Sequence, residues 1–108
     1  ISVRVPTQNV SLVDFNVMLA KGASVEEVNQ ALITAADGPL KGIMVCEKNE
    51  LVSIDFNGNA ASSIVDLPST VAIDKNFLKV LAWYDNEYGF SMRMVDMANY
   101  MNSAKAIG

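Results

Sequence analysis

The stretch Gly42-Ile43-Met44-Val45-Cys46-Glu47-Lys48-Asn49-Glu50-Leu51-Val52-Ser53-Ile54-Asp55-Phe56 decides the fold class. Two apolar runs, Gly42 to Glu47 and Leu51 to Phe56, flank the polar Lys48-Asn49-Glu50, a pattern that predicts a β-hairpin. Asn57-Gly58-Asn59 then marks a turn, because Asn and Gly tolerate positive φ. Ser62 to Val65 and Thr70 to Ile73 read as two short strands, and Phe77 to Trp83 as a strand dense in branched and aromatic residues. The strand–helix alternation of a doubly wound sheet is missing between residues 42 and 84. Strands outnumber helices and the hairpin points to antiparallel pairing. The expected class is therefore α+β, one sheet with helices on a face.

Working outward toward the amino end, Val10 to Leu19 alternates as a strand, with Val13, Phe15, Val17 and Leu19 on one face. Leu12 and Met18 lie on the other face with Asp14 and Asn16, so both faces are expected to be partly covered. Ile1 to Val5 also alternates, as a half-buried strand that Pro6 interrupts. Between these strands and the hairpin, Ser24 and Glu27 form a capping box that opens a helix. Val25, Val28, Leu32 and Ala35 give it an apolar stripe, and Gly38-Pro39 stops it. Toward the carboxyl end, Tyr84 to Phe90 reads as a polar, aromatic loop. A closing helix is expected from about Ser91, with Met94, Val95, Met97, Ala98 and Met101 on a broad apolar face.

Composition removes several function classes. The 108 residues make one domain, and 51% hydrophobic content is enough for a core. A net charge of −4 argues against nonspecific nucleic-acid binding, which needs clustered Lys and Arg. There is no histidine, so Ser–His, Cys–His and His-metal chemistry cannot arise within these residues, and no metal site is expected. The one cysteine excludes an internal disulfide and points to a reducing, cytoplasmic setting. No apolar run approaches the roughly 18–20 residues of a membrane span, and the first residues lack a signal-peptide design. The chain opens in mid-strand without Met, which is the expectation for a fragment.

Few residues carry chemistry by their type and place alone. Arg4, among apolar neighbours before Pro6, has the fork of donors that holds a carboxylate or phosphate. From type and place alone, an edge-strand Arg in solvent or in a structural ion pair is the preferred reading. Asp85-Asn86-Glu87 stands between Trp83-Tyr84 and Tyr88-Gly89-Phe90, where a strand ends and a helix begins, a common place for ligand contacts. The Asn86 amide offers a donor and an acceptor, which suits another amide, whereas Asp85 is better read as a helix cap. Cys46 has only Lys48 as a nearby cation and reads as an inert thiol. The six methionines read as core filler.

Six ordered blocks resemble the C-terminal part of the glyceraldehyde-3-phosphate dehydrogenase family. They are Arg4-Val5-Pro6-Thr7, Asn9-Val10-Ser11-Leu12-Val13-Asp14, Gly38-Pro39-Leu40-Lys41-Gly42-Ile43, Val52-Ser53-Ile54-Asp55-Phe56-Asn57, Ala61-Ser62-Ser63 and Trp83-Tyr84-Asp85-Asn86-Glu87-Tyr88-Gly89-Phe90-Ser91. The related erythrose-4-phosphate dehydrogenases share much of this pattern. The resemblance implies a mixed, largely antiparallel sheet with helices packed on it. Residues 1–108 would be a partial catalytic domain, with the NAD-binding Rossmann domain absent from this chain.

The resemblance also implies a reaction. In it a Cys thiolate attacks an aldehyde, a His acts as base, hydride passes to NAD and inorganic phosphate releases the acyl group. The residue matching Arg4 helps hold the phosphate of a phosphorylated aldose substrate. The residue matching Asn86 binds the nicotinamide carboxamide, and Phe90 stands where many members carry a Tyr beside the nicotinamide. The family's nucleophilic Cys and its His lie upstream of everything present, and Cys46 matches neither. The chain alone is therefore expected to be inactive, within an enzyme whose members are cytoplasmic homotetramers of glycolysis. A truncated, non-enzymatic module that self-associates or binds a partner is the alternative.

Overall fold

A computed structural model describes residues 2–103. Strand β1 (Ser11–Met18) leads through helix α1 (Val25–Asp37) to β2 (Met44–Glu47). A short 3-10 turn (Ser53–Phe56) precedes β3 (Ser63–Ile73), β4 (Phe77–Tyr84) and helix α2 (Tyr88–Ser103). The four strands form one mixed sheet in the order β1-β4-β3-β2. β4 pairs antiparallel with both β1 and β3, while β2 pairs parallel with β3. The α+β class and the largely antiparallel sheet are as expected.

The hairpin over residues 42–56 is not formed. Leu51 to Phe56 is no strand, and β2 instead finds β3 through a connection long enough for a parallel crossover. The local cause is Asp55, whose Oδ2 accepts the Val52 N–H at 2.9 Å and winds the segment into the 3-10 turn. The tertiary cause is Phe56, which is 3% exposed and stacks on Trp83 with ring centroids 5.5 Å apart. Val52 and Ile54, apolar in sequence, stay exposed. Apolar alternation over so short a run does not distinguish a strand from such a turn.

Three further boundaries move. The two short strands expected over Ser62 to Val65 and Thr70 to Ile73 are one strand, β3 (Ser63–Ile73), whose register slips between Asp66 and Val71 around Pro68. Pro68 has no N–H to give the ladder, which is why the irregularity falls there. Residues 2–5 form no strand, since no described segment pairs with them; Pro6 instead centres a tight turn in which the Thr7 N–H reaches the Val5 carbonyl at 2.8 Å. Helix α2 starts at Tyr88 rather than near Ser91.

Helix α1 follows its sequence signals. Ser24 Oγ accepts the Glu27 N–H at 3.2 Å while Glu27 Oε2 accepts the Ser24 N–H at 2.8 Å. Its Val25, Val28, Leu32 and Ala35 stripe is half-buried, over β2 and β3. The core is small: Val10, Phe56, Ala61 and Ile64, with Leu51 and Trp83 packed against it. Much of β1 and α2 remains uncovered, including Phe15, Met18, Met94, Met97 and Met101. Only Gly89 of α2 is buried. The radius of gyration, 16.1 Å, exceeds the roughly 13 Å of a compact domain of this length.

Candidate functional site

Antiparallel pairing of β1 with β4 places Ser11 opposite Tyr84. The residues entering β1 therefore stand beside those leaving β4, although most of the chain separates them. Asn9 Nδ2 donates to Asp85 Oδ2 at 2.9 Å and to Asn57 Oδ1 at 2.8 Å. Ser11 Oγ donates to Asn86 Oδ1 at 2.9 Å. Between them Val10 is held at φ 73 with its side chain 6% exposed in the core. A β-branched residue at positive φ costs about 1–3 kcal/mol and persists only where its surroundings over-determine it. Burial of the Val10 side chain anchors the kink, which leaves both polar neighbours engaged with the Asp85-Asn86 corner.

Asp85 is the centre of this corner. Its Oδ1 accepts the N–H groups of Glu87 at 3.1 Å and Tyr88 at 2.9 Å, which caps α2. Its Oδ2 accepts the Gly58 N–H at 2.9 Å as well as Asn9. The Tyr88 and Gly58 N–H groups, with Glu87 and Asn9 behind them, hold its carboxyl below the ordinary 3.8 despite opposing desolvation. Asp85 is ionised at neutral pH with its oxygens occupied, so it positions the loop and is not a base.

An open groove of ≈ 940 Å³ runs along this corner, and Arg4, Ser11, Trp83 and Asn86 are among its lining residues. Arg4 makes no ion pair among the described residues. Asn86 is exposed, and its Nδ2 donates to no described residue. The groove thus presents a guanidinium fork and a free amide donor from opposite ends of the sequence. Phe90 does not line it; its side chain, on the first turn of α2, is 67% exposed. Cys46 lies on β2, at the far edge of the sheet. Burial first, then Asp37, pushes its thiol up against the smaller pull of Lys48, the reverse of what a nucleophile needs.

Sequence reading singled out Arg4, Asn86 and Phe90 but neither Asn9 nor Ser11. A single Asn and a single Ser have many uses, and nothing local shows that they meet a loop from the other end of the chain. A Val between two short polar residues at a strand entrance carries no sign of positive φ.

This arrangement, a mixed sheet whose strand ends and helix N-terminus meet at an open groove lined by Arg4 and Asn86, is that of an α+β domain. The profile of the family described as "Glyceraldehyde 3-phosphate dehydrogenase, C-terminal domain" matches residues 1–86. The chain is 57% identical over 102 residues to glyceraldehyde-3-phosphate dehydrogenase 1 of Bacillus cereus, covering 94% of this chain and 30% of that protein. It is 47% identical over 105 residues to the glyceraldehyde-3-phosphate dehydrogenase of Sordaria macrospora, covering 97% of this chain and 31% of that protein. The testis-specific enzyme of Mus musculus is 52% identical over 100 residues, which cover 93% of this chain and 23% of the mouse protein. The chain belongs to the glyceraldehyde-3-phosphate dehydrogenase family, in its C-terminal domain. It spans under a third of the length of these relatives.

Proposed function

We propose that this chain is the substrate- and nicotinamide-facing part of an NAD-dependent, phosphorylating aldehyde dehydrogenase. The complete enzyme would convert glyceraldehyde 3-phosphate, NAD and inorganic phosphate to 1,3-bisphosphoglycerate. The observation that carries this reading is that Arg4 and Asn86 line one groove. Arg4 offers a charged, bidentate donor set to a substrate phosphate. Asn86, with Nδ2 free and its orientation held by Ser11, offers an amide to a carboxamide. These donors fit a nicotinamide and a phosphate. When bound, NAD supplies the hydride acceptor, while the residues of this chain hold and orient. Phe90, expected beside the nicotinamide, lies outside this groove and carries no part of the reading. The nucleophile, the base and the dinucleotide-binding domain belong in this reading to the rest of the polypeptide, in a cytoplasmic homo-oligomer.

The test is NAD reduction by a complete enzyme carrying this chain as its C-terminal part, with glyceraldehyde 3-phosphate and erythrose 4-phosphate compared as substrates. Phosphate-dependent turnover that favours the triose and falls in Arg4→Ala is expected. Preference for the tetrose would assign the related activity instead. A folded, NAD-binding enzyme without phosphate-dependent turnover on either substrate would overturn the proposal. A non-enzymatic, self-associating module is the second reading, which the uncovered faces of β1 and α2 favour.

A further inference from the structure

Asn86 can present its amide to the groove in two ways, with Nδ2 or with Oδ1 outward, and a freely rotating amide would sample both. Ser11 Oγ donates to Asn86 Oδ1 at 2.9 Å and ties the side chain to β1; because a hydroxyl can also accept from an amide NH2, this contact holds the amide in place rather than choosing its face. Ser11 is itself fixed on both sides. It opens β1 opposite Tyr84 in the ladder, and it follows Val10, whose φ of 73 and buried side chain set the path of the chain. Beyond Val10, Asn9 binds Asp85, the residue just before Asn86, so the backbone beneath the amide is also held.

We propose that Ser11 is a positioning residue for cofactor binding: its hydroxyl holds the Asn86 side chain at the groove, where the amide meets a carboxamide. This inference rests on the reading of Asn86 given above. It goes further in naming a second residue that holds the amide in place. Ser11 does not touch the cofactor in this account. Its effect passes through Asn86 and vanishes when Asn86 is gone.

The experiment uses the complete enzyme containing this chain and measures NAD binding by calorimetry alongside steady-state kinetics. Asn86→Ala should weaken NAD binding. Ser11→Ala should weaken it by about 2- to 10-fold, the range for one neutral hydrogen bond, and lower kcat with little change in the KM for the aldehyde. Ser11→Thr keeps the hydroxyl and should bind NAD within about 2-fold of the unmodified protein. Ser11→Ala added to Asn86→Ala should cause no further loss, which a merely structural Ser11 would not predict. Weakened binding in Asn86→Ala with unchanged binding in Ser11→Ala would overturn the role of Ser11 and leave the proposed function standing. Equal losses in Ser11→Thr and Ser11→Ala, or full additivity with Asn86→Ala, would also overturn it. Unchanged NAD binding and turnover in Asn86→Ala would overturn the reading of Asn86 itself.

Discussion

Asn9 Nδ2 and Asp85 Oδ2 lie 2.9 Å apart across 76 residues of sequence, and this bond ties the entrance of β1 to the exit of β4. The same carboxylate caps α2 and holds the Gly58 turn, so one side chain joins three segments. Arg4 and Asn86 share a groove beside this joint.

Asp85→Ala should lower stability by about 1–2 kcal/mol, combining loss of a helix cap with part-buried donors left to water. Asp85→Asn keeps one oxygen for the cap but turns an NH2 toward other donors, and should recover only part of this. Denaturant unfolding of the two variants checks the order.

The lowered pKa of Asp85 has a definite consequence for acid stability. Its folded value lies below the ordinary 3.8, so its contribution is complete above about pH 4 and is lost as the pH falls through the folded value. Stability measured from pH 6 downward should fall less steeply below pH 4 in Asp85→Asn. Asp14, lowered chiefly by its hydrogen bond from Lys79, contributes in the same direction in both proteins. An acid limb unchanged by the substitution would count against the Asp85 network.

Gly89→Ala tests how α2 is docked. A Cβ there would stand 2.7 Å from the Ala61 carbonyl oxygen, a backbone atom that cannot swing aside. Helix propensity favours Ala by about 1 kcal/mol, whereas forcing an atom into a packed contact costs about 1–3 kcal/mol. Net destabilisation is expected, seen as a lower Tm and faster proteolysis of α2.

Arg4→Ala in the complete enzyme should cost roughly 1.5–3 kcal/mol of substrate binding, about 10- to 150-fold in affinity. Arg4→Lys should recover only part, because an ammonium cannot reproduce the fork. Asn86→Leu should lower turnover by releasing the ring from its orientation. Steady-state kinetics with phosphorylated substrate distinguish these from unchanged behaviour.

The uncovered apolar residues of β1 and α2 predict self-association of the isolated 108-residue chain. The edge of β1 opposite β4 pairs with no described strand and can extend a sheet. Sedimentation should show a dimer or larger species whose stability rises with protein concentration. A monomer at tens of micromolar would show that these faces tolerate water.

The sequence by itself determined helix α1, from its capping box to Gly38, because helix ends are set by neighbouring residues. It also determined strands β1 and β4, whose long alternation or branched content leaves little choice, and the resemblance that placed Arg4 and Asn86. Tertiary structure decided what local pattern cannot express. The expected strand Leu51 to Phe56 gave way to a 3-10 turn over Ser53–Phe56 because Phe56 is buried against Trp83, and β2 chose β3 as a parallel partner. Residues 2–5, with strand-like alternation, stayed unpaired because a strand exists only where another offers its backbone groups. The positive φ of Val10 and the reach of Asn9 and Ser11 to Asp85 and Asn86 likewise depend on β1 lying beside β4. Those contacts join residues more than seventy positions apart, a separation that only the pairing of β1 with β4 removes.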